Sequence, residues 1–113
     1  MRYNILISPD GYVDMIEHDD SLDFYHSIVG GMIEIVRVHD DIVMIVDDEG
    51  KLKNLPYNKV ATYLYNTDDF IVGPAVLDKR YGPELVGLTQ DEAIDEMMRI
   101  IRVLPEDTIK DWV

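Results

Sequence analysis

Five consecutive apolar residues, Ile42-Val43-Met44-Ile45-Val46, form a run of the length of a β-strand. A strand without polar alternation is typical of the interior of a sheet, where both faces are covered. Charged turns bound this run, with His39-Asp40-Asp41 before it and Asp47-Asp48-Glu49-Gly50 after it. Residues 32–38 alternate between apolar and polar side chains and predict a neighbouring strand. We therefore predict a central strand at 42–46, buried on both faces.

The N-terminal residues have the pattern of a β-hairpin. Residues 3–8 are rich in strand-forming side chains, and residues 12–17 continue as a second extended run. Pro9-Asp10-Gly11 lies between them and is typical of a turn, because proline presets φ and glycine adopts positive φ without steric cost.

A first helix is predicted after Ser21, which is a suitable N-cap. Gly30-Gly31 ends it, because glycine enters the left-handed conformation that commonly follows a helix. The apolar side chains between these positions recur on a single helical stripe: Leu22, Tyr25, Ile28 and Val29.

A short second helix is predicted by four residues at helical spacing: Tyr57, Ala61, Leu64 and Tyr65. Asn54 or Asn58 is available as its N-cap. A strand is predicted at 70–72, with Gly73-Pro74 as a bulge or an edge and 75–77 beyond it. Residues 78–88 are predicted to form one long loop.

The C-terminal helix has the clearest start signal. Thr89-Gln90-Asp91-Glu92 is a capping box, in which a threonine and a glutamate three residues later satisfy each other's backbone amides. Its predicted apolar face consists of Ala93, Ile94, Met97, Met98, Ile101 and Leu104.

These elements follow the order β-β-α-β-β-α-β-α. We predict an α+β fold with a mainly antiparallel sheet and helices packed on one face. No repeat and no linker divides the chain, so residues 1–113 are expected to form a single domain, in which 89–113 are a C-terminal helical extension.

Composition excludes several classes of protein. The chain has 113 residues, no cysteine, and 23 acidic against 10 basic side chains, a formal net charge of -13. This charge repels nucleic acid and anionic membranes. The missing thiols exclude disulfides and cysteine nucleophiles. The apolar runs are too short for a targeting or membrane-spanning segment, and together with the missing cysteines this favours a cytoplasmic location.

No catalytic constellation is recognisable in the sequence, and we expect no metal and no cofactor. The acidic stretch 47–50 lacks the ligand order of a calcium loop, so a solvated turn is predicted. The helical acids form two pairs spaced i, i+4, which could hold a divalent ion. Favourable interaction with the helix dipole is the simpler reason for their position, and a solvated face is predicted for Asp91, Glu92, Asp95 and Glu96.

A small group of lysines interrupts the acidic sequence: Lys51, Lys53 and Lys59. Polar side chains, among them Tyr57, Asn58 and Thr62, lie between or beside them. This group could form a pocket for a small anion, and the alternative that it only solvates a loop and a helix surface stays open.

Several motifs resemble a family of small proteins of unknown function carried by bacteriophages, plasmids and integrative elements. The family pattern V-G-G-x-I-E, E-G-K-L, L-P-x-N-x-x-A-T and I-V-G is similar to residues 29–34, 49–52, 55–62 and 71–73. The resemblance covers about residues 3–77. It implies a mobile-element origin and a cytoplasmic role in a bacterial host, and it supplies no reaction and no catalytic residue. Folding explains three of the matched polar positions least well: Glu34, Asn58 and Thr62.

We therefore expect a non-enzymatic accessory protein of a phage or mobile element, acting as a homo-oligomer. It would use its acidic surface to inhibit a host defence or regulatory protein that has a basic patch, with imitation of DNA as one form of this binding. The alternative is a sponge that sequesters a small nucleotide signal, and a metal-dependent phosphodiesterase is a third hypothesis. The candidate ligand-binding residues are Glu34, Tyr57, Asn58, Lys59 and Thr62.

Overall fold

The computed structural model describes residues 1–19 and 21–103. The predicted place of Leu104 on the apolar face of the last helix, and the part of the predicted extension beyond 103, lie outside the described residues. The strands are β1 (Tyr3–Ile7), β2 (Val13–Glu17), β3 (Ile33–His39), β4 (Ile42–Asp47), β5 (Ala75–Tyr81) and β6 (Glu84–Leu85). The helices are α1 (Leu22–Val29), α2 (Lys59–Tyr65) and α3 (Gln90–Val103).

The strands form an antiparallel sheet in the order β2-β1-β5-β4-β3, and β6 pairs with the outer end of β5. The α+β fold, the mainly antiparallel sheet and the predicted order of elements are confirmed, with β6 as a short addition. The predicted strand at 42–46 is β4, which pairs with β3 and β5 and is buried at each of its residues.

Alternate side chains of the sheet contribute to two apolar clusters, one on each face. The larger cluster contains Ile5, Met44 and Leu77 of the sheet, and α2 and α3 add Val60, Leu64, Ala93 and Ile100 to it. The smaller cluster contains Val43, Ile45 and Val76, and α1 adds Tyr25 and Val29 to it. The prediction of helices on one face therefore holds for α2 and α3, whereas α1 covers the opposite face. A strand that is apolar on both sides requires cover on both sides.

The helix ends form as the local chemistry predicts. The Ser21 side chain accepts a hydrogen bond from the Phe24 amide, and Gly30 follows α1 at a φ of 87°. At the start of α3, the Thr89 amide donates to Glu92 Oε1 over 2.8 Å, and the Glu92 amide donates to Thr89 Oγ1 over 3.1 Å. The capping box predicted at 89–92 is confirmed.

The prediction for residues 70–88 is wrong in two places. Residues 70–72 form no strand and make a single bridge between Tyr57 and Val72. The strand begins at Ala75 and continues to Tyr81, through residues predicted to lie in a loop. Asp78 and Lys79 have low intrinsic strand propensity, but their backbone pairing with Val43 and Ile42 of β4 overrides it.

The face of α3 that packs on the sheet also differs from the prediction. Ala93 and Ile100 are fully buried and Met97 packs against the core, whereas three residues of the predicted apolar face are largely exposed: Ile94, Met98 and Ile101. α3 therefore contributes directly to the main core. Within residues 1–19 and 21–103, no helix combines the length and the apolar character needed to cross a membrane.

Candidate functional site

Three of the predicted ligand-binding residues line one pocket beside α2: Tyr57, Lys59 and Thr62. The pocket has a volume of about 290 Å³, and Tyr63, Asn66 and Thr67 complete its lining. The Tyr57 ring is half exposed, and its centroid lies 6.2 Å from that of Phe70. The structure thus brings a lysine, two tyrosines and several hydroxyl or amide groups together on one surface.

Asn58 does not belong to this pocket, because it is fully buried. Its Oδ1 accepts a hydrogen bond from the Ala61 amide over 3.0 Å and caps α2. Its Nδ2 donates to the carbonyls of Ile7, over 3.0 Å, and of Gly73, over 2.8 Å. All of its amide hydrogens are thereby used inside the fold, so Asn58 is a structural residue here and the ligand-binding interpretation of its side chain does not fit.

Thr62 lines the pocket, but its hydroxyl is also used in the fold. Oγ1 accepts a hydrogen bond from the Ile71 amide over 2.9 Å. This contact joins α2 to residues 70–73, a segment that has little sheet pairing of its own. The Thr62 hydroxyl therefore already has a partner in the fold.

Glu34 lies apart from the other predicted residues. It is exposed on β3 and lines a separate cavity of about 130 Å³ together with Lys51, Asp69 and Phe70. Lys51 forms an ion pair with Asp69, and its Nζ lies 4.3 Å from the centroid of the Phe70 ring. Glu34 therefore lines a different cavity from the one that Tyr57, Lys59 and Thr62 share.

The turn at 47–50 is less solvated than predicted. The Asp47 side chain is 1% exposed, and its Oδ2 accepts a 2.7 Å hydrogen bond from Lys53 Nζ. Burial by itself raises the pKa of the Asp47 carboxyl, but hydrogen bonds from Lys53 and the Glu49 amide, with the charge of Lys53, hold the pKa below its ordinary value. A Cβ at Gly31 would clash with Lys53 Nζ and lie 3.2 Å from Asp47 Oδ2, so this motif glycine leaves room for the ion pair.

Two further motif glycines have similar structural roles. A Cβ at Gly50 would lie 2.9 Å from Val72 Cγ2, and one at Gly73 would lie 2.7 Å from Leu55 Cδ1. Gly73 also has a φ of 76°. The motif residues thus hold the segment after β4 against the segment before β5.

A third cavity, which the sequence did not predict, is a cleft between the β3–β4 turn and α3. It has a volume of about 220 Å³ and is lined by His39, Asp40, Asp41, Ile42, Lys79, Glu92, Asp95 and Glu96. Carboxylates predominate over basic groups in this lining. The turn and the helix are far apart in sequence, so only their packing could reveal the cleft.

The helical acids divide into two groups. Asp91 and Asp95 are exposed, as predicted for a solvated face, whereas the Glu96 residue is buried and accepts hydrogen bonds from His39 Nε2 at 2.8 Å and Arg99 at 3.0 Å. Glu92 forms a 2.6 Å hydrogen bond with Lys79. Burial raises the pKa of Glu92, but the bonds from Lys79 and Thr89 outweigh this and leave the pKa below its ordinary value. The solvated-face prediction is therefore wrong for both glutamates.

Five basic side chains form ion pairs within the described residues: Arg2 and Lys79 with Glu92, Lys51 with Asp69, Lys53 with Asp47, and Arg99 with Glu96. Many exposed acids form no ion pair with lysine or arginine in the described residues: Asp10, Glu17, Asp19, Asp23, Glu34, Asp40, Asp41, Asp48, Glu49, Asp68, Glu84, Asp91 and Asp95. The exterior is strongly negative because acidic side chains outnumber basic ones, 23 to 10, and the ion pairs neutralise only a few of the acids.

A buried polar network lies on the α1 face of the sheet. The Tyr25 hydroxyl donates a 2.5 Å hydrogen bond to Asp78 Oδ2, and His18 Nδ1 lies 2.8 Å from Asn4 Oδ1. Asp78 Oδ1 also accepts hydrogen bonds from the Lys79 and Gly87 amides. These contacts explain how a charged residue is accommodated inside β5.

One comparison with known proteins identifies the family. A family model described as "Domain of unknown function (DUF3846)" matches residues 1–102. The chain belongs to this family. The DUF3846 match includes nearly all of α3, and thus extends beyond the region of about 3–77 that the motifs indicated. No curated protein and no solved structure matches the chain.

Proposed function

We propose that this protein acts by binding a basic surface of a host protein through its acidic exterior, as an accessory protein of a phage or another mobile element. The observation that carries the proposal is that, among the described residues, exposed carboxylates without an ion pair greatly outnumber exposed basic side chains without one. The resemblance of the motifs to proteins of mobile elements supports the proposed origin and the cytoplasmic location.

The cleft beside α3 supplies a specific contact for such a partner. Asp40 and Asp41 are exposed at one side of the cleft, and Asp95 is exposed at the other. A guanidinium or ammonium group between them would meet carboxylates on two sides, as it does between the phosphates of a nucleic acid. Opposite charge on the two partners would also accelerate association and make binding sensitive to salt.

The test uses the tagged full chain to capture partners from a bacterial lysate, followed by binding measurements with the captured protein. The cleft variant D40N/D41N is compared with D10N/D23N, which changes the net charge equally at exposed positions outside the cleft. We expect the cleft variant to lose about tenfold in affinity and the control to stay close to wild type. Affinity of the wild type should also fall steeply from low to moderate salt. Salt-independent binding would contradict the acidic surface as the determinant.

A second candidate function, sequestration of a small nucleotide, is favoured by the Tyr57 pocket. Lys59 has no ion pair in the described part of the chain and can contact a phosphate, while the exposed rings of Tyr57 and Tyr63 can stack on a base. Mass spectrometry of small molecules released from the purified protein tests this function. Lys59→Gln should reduce the amount recovered and Arg80→Gln, a change of equal charge at another exposed position, should not.

The metal-dependent phosphodiesterase stays a prediction. Within the described residues, no group of three or more histidine, aspartate or glutamate side chains is arranged to hold a metal ion.

A further inference from the structure

The outward side of α3 carries an apolar stripe formed by Ile94, Met98 and Ile101, called the α3 stripe below. These residues are 45%, 44% and 53% exposed. Their spacing of four and then three residues places them along one side of the helix over a length of about 10 Å. Other residues of α3 cover the sheet, and within residues 1–19 and 21–103 the stripe belongs to neither apolar cluster.

Charged residues along one edge of the α3 stripe have opposite signs at its two ends. At 3.6 residues per turn, Asp91, Asp95 and Arg102 share this edge, with the acids in the first half of the helix and the arginine in its last turn. All three are exposed and form no ion pair within the described residues.

We propose that the α3 stripe pairs with the α3 stripe of a second copy of this chain, in an antiparallel homodimer with its two-fold axis near Met98. In that arrangement Ile94 of each copy packs near Ile101 of the other, and Met98 packs against its own equivalent. The edge of one helix then runs beside the same edge of its copy, which places Asp91 and Asp95 opposite Arg102.

The charges beside the α3 stripe favour a second copy of this chain as the partner and favour the antiparallel orientation. In a parallel two-fold pair this edge would run beside the opposite edge of the copy, so Asp91 and Asp95 would not meet Arg102. The antiparallel pair brings these opposite charges together at both ends. Opposed helix dipoles favour the same orientation. The inference does not rest on the proposed host partner. Asp95 also lines the cleft, but the dimer is measured without a partner, and its charge exchange changes Asp91 and Arg102, which lie outside the cleft lining.

Sedimentation equilibrium of the full chain at one fixed ionic strength tests the dimer. We expect a dimer for the wild type and an increase of about a hundredfold in the dissociation constant for Met98→Glu, since symmetry places two carboxylates together at the centre of an apolar contact. Leu52→Glu is the matched control, because Leu52 is 86% exposed and lies outside the stripe. It should leave the dimer unchanged.

Charge exchange tests the orientation. Arg102→Asp should weaken the dimer about tenfold. D91R/R102D, which keeps the net charge of the chain, should restore part of the affinity, since Asp95 of the copy stays near the new aspartate. Arg80→Asp makes the same charge change at another exposed arginine and should have little effect. Circular dichroism shows that each variant is folded. A monomeric wild type, an unaffected Met98→Glu dimer, or failure of D91R/R102D to recover affinity over Arg102→Asp would each overturn the proposal.

Discussion

Lys53 Nζ donates a 2.7 Å hydrogen bond to the buried Oδ2 of Asp47, and the two side chains meet in space left open by Gly31. The pair joins the end of β4 to the loop that follows it. Replacing Lys53 by methionine leaves the Asp47 carboxylate buried with fewer donors. We expect the free energy of unfolding at neutral pH to fall by about 1 to 3 kcal/mol. Urea denaturation measures the change.

Lys59→Met is the matched control for that experiment, because Lys59 is exposed and has no ion pair in the described part of the chain. Its free energy of unfolding should stay within about 0.5 kcal/mol of the wild type. A Lys53→Met variant as stable as this control would show that the Asp47 pair contributes nothing.

Stability should depend on pH in part through two carboxyls whose side chains are not fully exposed and whose pKa values are depressed. Asp47 and Glu92 have folded-state pKa values below their ordinary values of 3.8 and 4.5. A depressed pKa contributes stability that is present above the unfolded-state value and is lost as the pH falls through the folded-state value. The wild type should therefore lose stability in acid below these ordinary values.

The same linkage predicts how Lys53→Met behaves in acid. Without Lys53, burial raises the pKa of Asp47 with less opposition, so that carboxyl takes up its proton at a higher pH. The difference in unfolding free energy between variant and wild type should be largest at neutral pH and shrink as the pH falls. Urea denaturation at a series of pH values measures it, and a difference independent of pH would argue against a role for ionised Asp47.

Asn58 is expected to be among the most sensitive positions outside the apolar core. Asn58→Ala removes the cap of α2 and leaves the Ile7 and Gly73 carbonyls without their donors, at an expected loss of about 2 to 4 kcal/mol. Asn58→Asp keeps the capping oxygen but loses both donors, so it should also be strongly destabilised. Thermal and urea unfolding measure both variants. Near-wild-type stability for Asn58→Asp would mean that only the cap matters.

Substitutions of Thr62 test whether its hydroxyl oxygen has a structural role. Thr62→Val keeps the shape of the side chain but leaves the Ile71 amide unpaired, at an expected loss of about 1 to 2 kcal/mol. Thr62→Ser keeps the hydroxyl and should recover most of that loss. Equal destabilisation of both variants in urea would assign the effect to the methyl group and its packing.

The sequence predicted correctly that three of the candidate residues lie together, but it did not predict which of the candidate side chains are used inside the fold. Lys59 and Thr62 lie on one side of α2 because they are three residues apart, and Tyr57 joins them from the segment just before the N-cap. The hydrogen bonds from Asn58 reach residues 15 and 51 positions away in the chain, and no local pattern indicates them. The acidic cleft was missed for the same reason, since its walls come from a turn and a helix that are joined only by packing.

Caps, turn residues and alternation act within a few residues, and this local chemistry is sufficient for the hairpin, the start of α3 and the end of α1. Tertiary packing decided the features that depend on contacts between residues distant in sequence. It placed polar Asp78 inside a paired strand, put α1 on the second face of the sheet, and turned Ala93 and Ile100 rather than Ile94 and Ile101 toward the core. In each case the free energy comes from residues distant in sequence, whose burial and pairing exist only once the sheet has formed.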